Sequence, residues 1–283
     1  MQAPFLFLHK TVVKTAISCK NRNKGGDNMN LYQEIARKRC VTREDFKKLA
    51  GTDSAAAWHI KTFLEKGYIE RVRHDLYAVI SLETGQPIAN RFQLASAAAK
   101  DACVSHHSAF EYYGVANQVF YEVYFTSQKR LQDFYYDGID YRCLPSRGTV
   151  GIIEEPTGVR VTSLERTVID SIANFKKIGG LEELLRCLLL VPTLAPDKLL
   201  EALELYHNGK LYQKTGYLLE SFQQEFTLPD SFFVTCEERS SNSKTYFSNN
   251  HKDCTLHKRW KLYAPADLSK IFNKGVNYLD ATI

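Results

Sequence analysis

The sequence has no apolar run near the ~20 residues that a membrane-spanning helix requires, which excludes a helical membrane protein. It contains no P-loop, no G-x-S-x-G elbow and no H-E-x-x-H pair, the patterns that would supply a phosphate cradle, an exposed serine nucleophile or a two-histidine zinc face. No C-x-x-C pair occurs. The seven cysteines (Cys19, Cys40, Cys103, Cys143, Cys187, Cys236 and Cys254) are odd in number and irregularly spaced, so a disulfide framework is not expected and a reducing cytoplasm is. No strand-like run ends in the Asp followed by Glu-x-Lys that gathers Mg²⁺ in many nucleases. The sequence therefore leads to no expected catalytic residue, metal or cofactor, and a metal-dependent nuclease is kept only as an alternative.

At 283 residues and 44% hydrophobic content, the chain can bury two cores of ordinary size. Its most organised stretch runs from Leu31 to Ile80. Leu31, Ile35 and Ala36 recur at helical spacing in LYQEIARKR. Thr42 then opens a second helix, with Asp45 placed to complete a capping box. In that helix Phe46 and Leu49 are expected to face inward, and Gly51 to make the turn that follows. A third helix is read with Ser54 as its N-cap and Ala57, Ile60, Phe63 and Leu64 as its inward stripe. That leaves Ala55, Trp58, His59 and Thr62 on the opposite face. After Gly67, residues 68–73 alternate like a strand, His74-Asp75 turns, and residues 76–80 return. The order is that of a winged helix-turn-helix over residues 29–84, with Arg71 and Arg73 on one face of the wing toward a phosphate backbone.

Charge follows the same division. Residues 29–80 carry ten Lys/Arg against seven Asp/Glu, whereas residues 81–283 carry 22 against 24. A basic module with a modest excess is expected to hold double-stranded DNA, with self-association on the DNA adding affinity. Residues 1–28 are basic and mix small with apolar residues, but His9, Lys10 and Lys14 interrupt any export signal. Lys24-Gly25-Gly26-Asp27 can be encoded by a purine-rich ribosome-binding sequence shortly before Met29. Residues 1–28 are therefore read as a non-native leader or a disordered basic arm.

Gly85-Gln86-Pro87 marks a junction, and residues 87–283 read as a larger α+β domain. A helix is expected over residues 88–100 and a short one, capped by Ser105, in SHHSAFEYY. Strands are expected at residues 121–126, 139–143 and 158–161. Thr162 and Glu165 suggest a capping box for SLERTVIDSIANF, with Val168, Ile169 and Ile172 buried. Further helices follow in LEELLRCLLLV, DKLLEALELY and KLYQKTGYLLESF.

A winged helix-turn-helix followed by SHHSAFEYYGV, VRVTSLERTVID, GYLLESF and KRWKLYAPADL, in that order, resembles the AbiEi family of antitoxins from type IV toxin-antitoxin and phage-defence systems. The resemblance spans residues 31 to about 272. It implies a repressor that binds inverted repeats at its own promoter and a C-terminal domain that opposes a nucleotidyltransferase-type toxin encoded nearby, without a stable complex. The chain departs from the family in two places. His74-Asp75-Leu76 stands where wings there often carry glycine, and the third helix lacks arginine, the commonest reader of guanine. A ligand-responsive winged-helix regulator without a toxin partner is the alternative.

On this reading Ser54, His59, Lys61 and Thr62 are candidates for base or phosphate contact, Ala55 for a thymine methyl, and Trp58 for DNA or for packing. Arg43, Lys47 and Lys48 are candidate backbone clamps, together with Arg71 and Arg73. In the second domain Ser105, His106, Glu165, Arg166 and Asp170 carry the family-like motif. Arg166 and Asp170, four apart on one helix, are read as an ion pair, with Glu165 and Arg166 as the alternative working surface. Adjacent histidines point about 100° apart on a helix, so His106-His107 is read as packing or capping. Cys236, His251, Cys254 and His257 match zinc ligands in type but not in spacing.

Overall fold

The computed structural model describes residues 24–248, 254–268 and 271, a mixed α+β protein. The expectation for residues 1–28 falls largely outside the described residues; helix α1 (Lys24–Lys38) covers the rest, with Asn28 buried. Strand β1 (Cys40–Thr42) leads into α2 (Arg43–Ala50) and α3 (Asp53–Glu65). The capping box forms: the Thr42 hydroxyl accepts from the Asp45 amide at 3.2 Å, and the Asp45 carboxylate accepts from the Thr42 amide at 2.9 Å. Gly51 ends α2 with φ +81°, a backbone state that costs glycine nothing.

That turn places Thr52, not Ser54, at the N-cap of α3. Thr52 is extended, and its hydroxyl accepts from the Ala55 amide at 3.2 Å. The buried stripe is Ala56, Ile60 and Phe63, at i, i+4, i+7, while Ala57 is exposed and Leu64 half-buried. Leu49 is 39% exposed, so α2 enters the core through Phe46 alone.

Strands β2 (Ile69–Arg73) and β3 (Leu76–Val79) make the expected hairpin, and β1 pairs with β3 to give a three-stranded sheet of order β1-β3-β2. Asp75 turns it at φ +59°, a left-handed state that a short polar side chain tolerates better than most. It does the work of the missing glycine. The ladder is irregular between Arg71 and Arg73, and such an irregularity re-aims a side chain. Arg71 is exposed over the Tyr77 ring, whereas Arg73 turns inward to donate to the Ala98 carbonyl at 3.2 Å and lie over Phe134. The two arginines therefore do not share a phosphate-facing surface.

The second part is built on a six-stranded sheet of order β6-β7-β5-β4-β9-β8. Its strands are β4 (Cys103–Val104), β5 (Glu122–Ser127), β6 (Phe134–Tyr136), β7 (Ile139–Pro145), β8 (Ile152–Glu154) and β9 (Arg160–Thr162). The pairs β5–β7 and β4–β9 are parallel, the rest antiparallel. Helix α4 (Arg91–Ala97) is shorter than expected because Asn90 and Gln93 form a capping box that fixes its start. Val72, Leu76 and Ala78 of the hairpin lie in the same apolar cluster as Leu94, Phe125 and Tyr141. The Tyr136 hydroxyl adds a hydrogen bond to Glu70 at 2.9 Å. The hairpin and the second part thus share a core.

Helices α5 (His107–Tyr112), α6 (Leu164–Ala173), α7 (Leu181–Leu190), α8 (Pro196–Glu204), α9 (Gly209–Glu220) and α10 (Asp230–Glu238) enclose a second core. Strands β10 (Thr245–Tyr246), β11 (Cys254–His257) and β12 (Leu262–Pro265) form a small sheet against it. Two cap expectations fail for the same reason. The Ser105 amide bonds to the Tyr124 carbonyl of the sheet, so His106 precedes α5 without a side-chain cap. The Thr162 hydroxyl meets Thr167 at 2.7 Å and Glu165 accepts from the Ala195 amide, so Ser163 caps α6 instead. Among the described residues, no helix is long and apolar enough to cross a membrane.

Gly216 of GYLLESF lies under Trp260 of KRWKLYAPADL. An added Cβ would stand 2.2 Å from the indole ring, whose Nε1 donates to Glu220 at 2.7 Å. Gly216→Ala should therefore destabilise the fold by about 1–3 kcal/mol through overpacking, although alanine favours helices. A denaturant titration that found the variant as stable as the parent would contradict this packing.

Candidate functional site

Two surfaces gather the residues singled out by the sequence. The first is the outer side of α3, where Ser54, Ala57, Trp58 and Lys61 are exposed at helical spacing. Trp58 is 47% exposed, so its ring is not consumed by packing. Ala55, His59 and Thr62 are half-buried, with the His59 ring set edge-on to Trp58 and Phe63. Ala57, assigned to the interior from its spacing, belongs to this face because the buried stripe runs through Ala56, Ile60 and Phe63 at i, i+4, i+7, one position earlier.

The surrounding cations are mostly partnered. Lys47 pairs with Asp53 at 2.8 Å, Lys48 with Glu44 at 3.4 Å and Lys61 with Glu65 at 3.9 Å. Such exposed pairs contribute about 0–1 kcal/mol, so a phosphate can displace the carboxylate at little cost. Arg43 and Arg71 are exposed beside them.

The second site is a cavity of about 340 Å³ in the larger part of the molecule. His106 reaches it from the end of β4, Arg166 and Asp170 from α6, Arg147 from the loop after β7, Tyr206 from the loop after α8, and Lys210 and Lys214 from the first turns of α9. Of the motif residues, His106, Arg166 and Asp170 meet here, and Ser105 touches it through His106, its hydroxyl 3.0 Å from Nδ1. Glu165 points elsewhere, to the Ala195 amide. Arg147, Tyr206, Lys210 and Lys214 carried no local sequence signal, since only the tertiary fold brings their segments together.

Arg166 and Asp170 form the expected ion pair at 2.8 Å, both almost fully buried. The pair is tied outward: Arg166 Nη1 donates to the Val150 carbonyl at 2.9 Å, and the Tyr206 hydroxyl donates to Asp170 at 2.6 Å. Gly151, at φ +69°, lets its loop pass over Arg166, where a Cβ would approach the Arg166 Cβ to 2.9 Å. Removing one member of a buried pair strands the other charge. Arg166→Ala should thus cost about 3–5 kcal/mol, read as a shift of the urea midpoint; an unchanged midpoint would show that the pair is not structural.

His106 sits at φ +53° and ψ −135°, an unusual conformation for a residue with a Cβ. Burial, together with Arg166 and Lys177 and against the pull of Asp170, pushes its imidazole down from 6.5 to about 4. Between those values the unfolded chain binds the proton and the folded chain does not, so stability falls as pH drops through the interval, by roughly 3 kcal/mol in all. His106→Asn, which keeps a side chain tolerant of positive φ, should flatten that dependence. Melting temperatures of parent and variant from pH 7 to pH 4 test it, and parallel curves would refute it.

The neighbouring His107 serves a different purpose. It stacks on Phe120 with ring centroids 3.8 Å apart, and its Nε2 lies 3.1 Å from Glu183. His107, Glu183 and Cys187 have the ligand types for a metal and lie within 4.8 Å of one another. However, Glu183 also accepts from the Asn117 and Gln118 amides and from the Asn117 side chain, and burial pushes the Cys187 thiol up to about 12. A protonated thiol and a carboxylate already bonded to amides make an internal bracket, a packing role for His107. Of the tail residues with zinc-ligand chemistry, Cys236 is buried in the helical core, His257 packs on Tyr217, and His251 lies outside the described residues.

In comparisons with known proteins, no family model matches the chain and no curated protein is significantly similar to it.

Proposed function

We propose that the chain is a DNA-binding antitoxin of the type IV kind, which represses its own operon and counteracts a nucleotidyltransferase-type toxin encoded nearby. In this reading α1–α3 and the β2–β3 hairpin are a winged helix-turn-helix, with α3 as the helix that enters the major groove. The observation that carries it is the solvent-facing row Ser54, Ala57, Trp58 and Lys61 on α3, with Arg71 exposed on the adjoining hairpin. Serine and lysine can bond base edges or phosphates, alanine can meet a thymine methyl, and the exposed indole adds apolar contact. The net charge of residues 29–80 is only +3, so two copies on an inverted repeat would supply the affinity that one lacks.

The antitoxin half rests on the family-like strings of the larger part. The contact between Gly216 and Trp260, and the convergence of His106, Arg166 and Asp170 on one cavity, support it because separate strings meet in space. Co-expression with the product of the neighbouring gene tests this half, rescue of growth being the expected result.

For the DNA half, titration of promoter and random duplexes at several salt concentrations is decisive. Arg71→Ala should weaken binding to both and lower the salt slope by roughly 0.9, one phosphate contact. Arg73→Ala should leave the slope unchanged and lower the melting temperature, because that arginine is spent on Ala98 and Phe134. Lys61→Ala and Trp58→Ala should lose more on the promoter than on random DNA. Equal affinity of parent and α3 variants for the promoter would remove α3 as the reader.

A further inference from the structure

The cavity between α6, the end of β7 and the start of α9 carries an imbalance of charge. Four cations, Arg147, Arg166, Lys210 and Lys214, line it against the single carboxylate of Asp170, and that carboxylate is already engaged by Arg166 and Tyr206. Lys210 and Lys214 stand four apart on α9, where like charges repel, and neither forms an ion pair with a carboxylate among the described residues. Burial, and then Lys210, hold the Lys214 ammonium below the ordinary lysine range. Arg147 rests on the Tyr206 ring, with no carboxylate partner either.

The polar groups around these charges also favour an anion. The first turn of α9 opens on the cavity and adds the partial positive end of the helix dipole, although Asn208 already accepts from the Lys210 and Leu211 amides. His106 is more than nine-tenths buried, its Nδ1 is taken by Ser105, and its Nε2 has no hydrogen-bond partner among the described residues. When the Ser105 hydroxyl donates to Nδ1, Nε2 carries the proton and is a donor toward the cavity.

We infer that this cavity binds a small phosphorylated molecule, the phosphate lying among Arg147, Lys210, Lys214 and His106. These donors approach from three directions, Arg147 from the loop after β7, His106 from the end of β4 and the two lysines from α9, which suits the tetrahedral oxygens of a phosphate better than the two coplanar oxygens of a carboxylate. A volume of about 340 Å³ leaves room for an organic group beside the phosphate, at the lower end of the roughly 300–1,000 Å³ typical of small-molecule sites. The inference does not depend on the DNA reading, since the cavity and the α3 face share no residue.

Calorimetric titration of the full chain with inorganic phosphate, adenosine 5′-monophosphate and adenosine tests it, with histidine ring resonances recorded in parallel. The two phosphate-bearing probes should bind and shift the His106 signals, and adenosine should not. Joint Lys210→Ala and Lys214→Ala replacement should weaken binding at least about tenfold, the factor equivalent to about 1.4 kcal/mol. Arg147→Ala, on an exposed side chain, should do so independently if the double variant folds poorly. Lys198→Ala on α8 should leave binding unchanged. Three results would each overturn the site: no heat from either phosphate probe, equal binding of adenosine, or affinity that survives both the Arg147 and the lysine variants.

Discussion

The buried pair of Arg166 and Asp170 is the constraint around which the larger part is arranged. Residues 165–172 of α6 are all buried, so this helix runs through the interior carrying Glu165 as well as the opposite charges of Arg166 and Asp170. Burying them costs several kcal/mol per ion unless every lone pair and proton finds a partner. The Val150 carbonyl and the Tyr206 hydroxyl supply partners from segments far apart in sequence. The pair therefore dictates where the loop before β8 and the loop before α9 must lie. The cavity is the space left where those loops, α6 and the ends of β5 and β7 cannot close on one another.

A second constraint couples the two parts of the chain. A hairpin that only touched DNA would bury one face against its own helices. Here Ile69, Tyr77 and Val79 do so in the core of α1–α3, while Val72, Leu76 and Ala78 pack with α4 and the six-stranded sheet. Arg73 and Glu70 reinforce the junction through Ala98 and Tyr136. Close-packed cores transmit displacement rather than absorb it. The orientation of α3 relative to the six-stranded sheet is thus fixed by packing, not by a linker.

Local chemistry made much of this legible from the sequence. The Thr42–Asp45 box, the stop at Gly51, the hairpin turn at His74-Asp75, the buried Val168, Ile169 and Ile172, and the Arg166–Asp170 spacing all depend on neighbours within a few residues. What failed had competing partners at long range. Ser105 and Thr162 look like caps, but the sheet claims the amide of one, and Thr167 and the Val104 carbonyl claim the hydroxyl of the other. Thr52 and Ser54 can each cap a helix by residue type, and only the backbone after Gly51 decides for Thr52. The short strands β6, β8 and β10 hold two or three residues each, too few for an alternating pattern to register. The cavity had no local signature beyond its motif residues, as Arg147, Tyr206 and Lys214 meet only after α6 and α9 dock.

The treatment of charge in the two candidate sites differs in kind. On α2 and α3 each lysine facing solvent has a carboxylate within 4 Å, a surface near neutrality. On the proposed DNA-binding reading, such a surface would gain little net electrostatic energy per contact, and selectivity would come from shape and from the uncharged groups around Trp58. In the cavity Arg147, Lys210 and Lys214 lack a carboxylate partner among the described residues, and half-burial of Lys214 raises the cost of leaving its charge unmet. A folded protein tolerates such a cluster at the expense of stability, and a bound dianion removes the expense. Ligand binding and folding are then linked, because whatever neutralises Lys210 and Lys214 also stabilises the docking of α9 on α6.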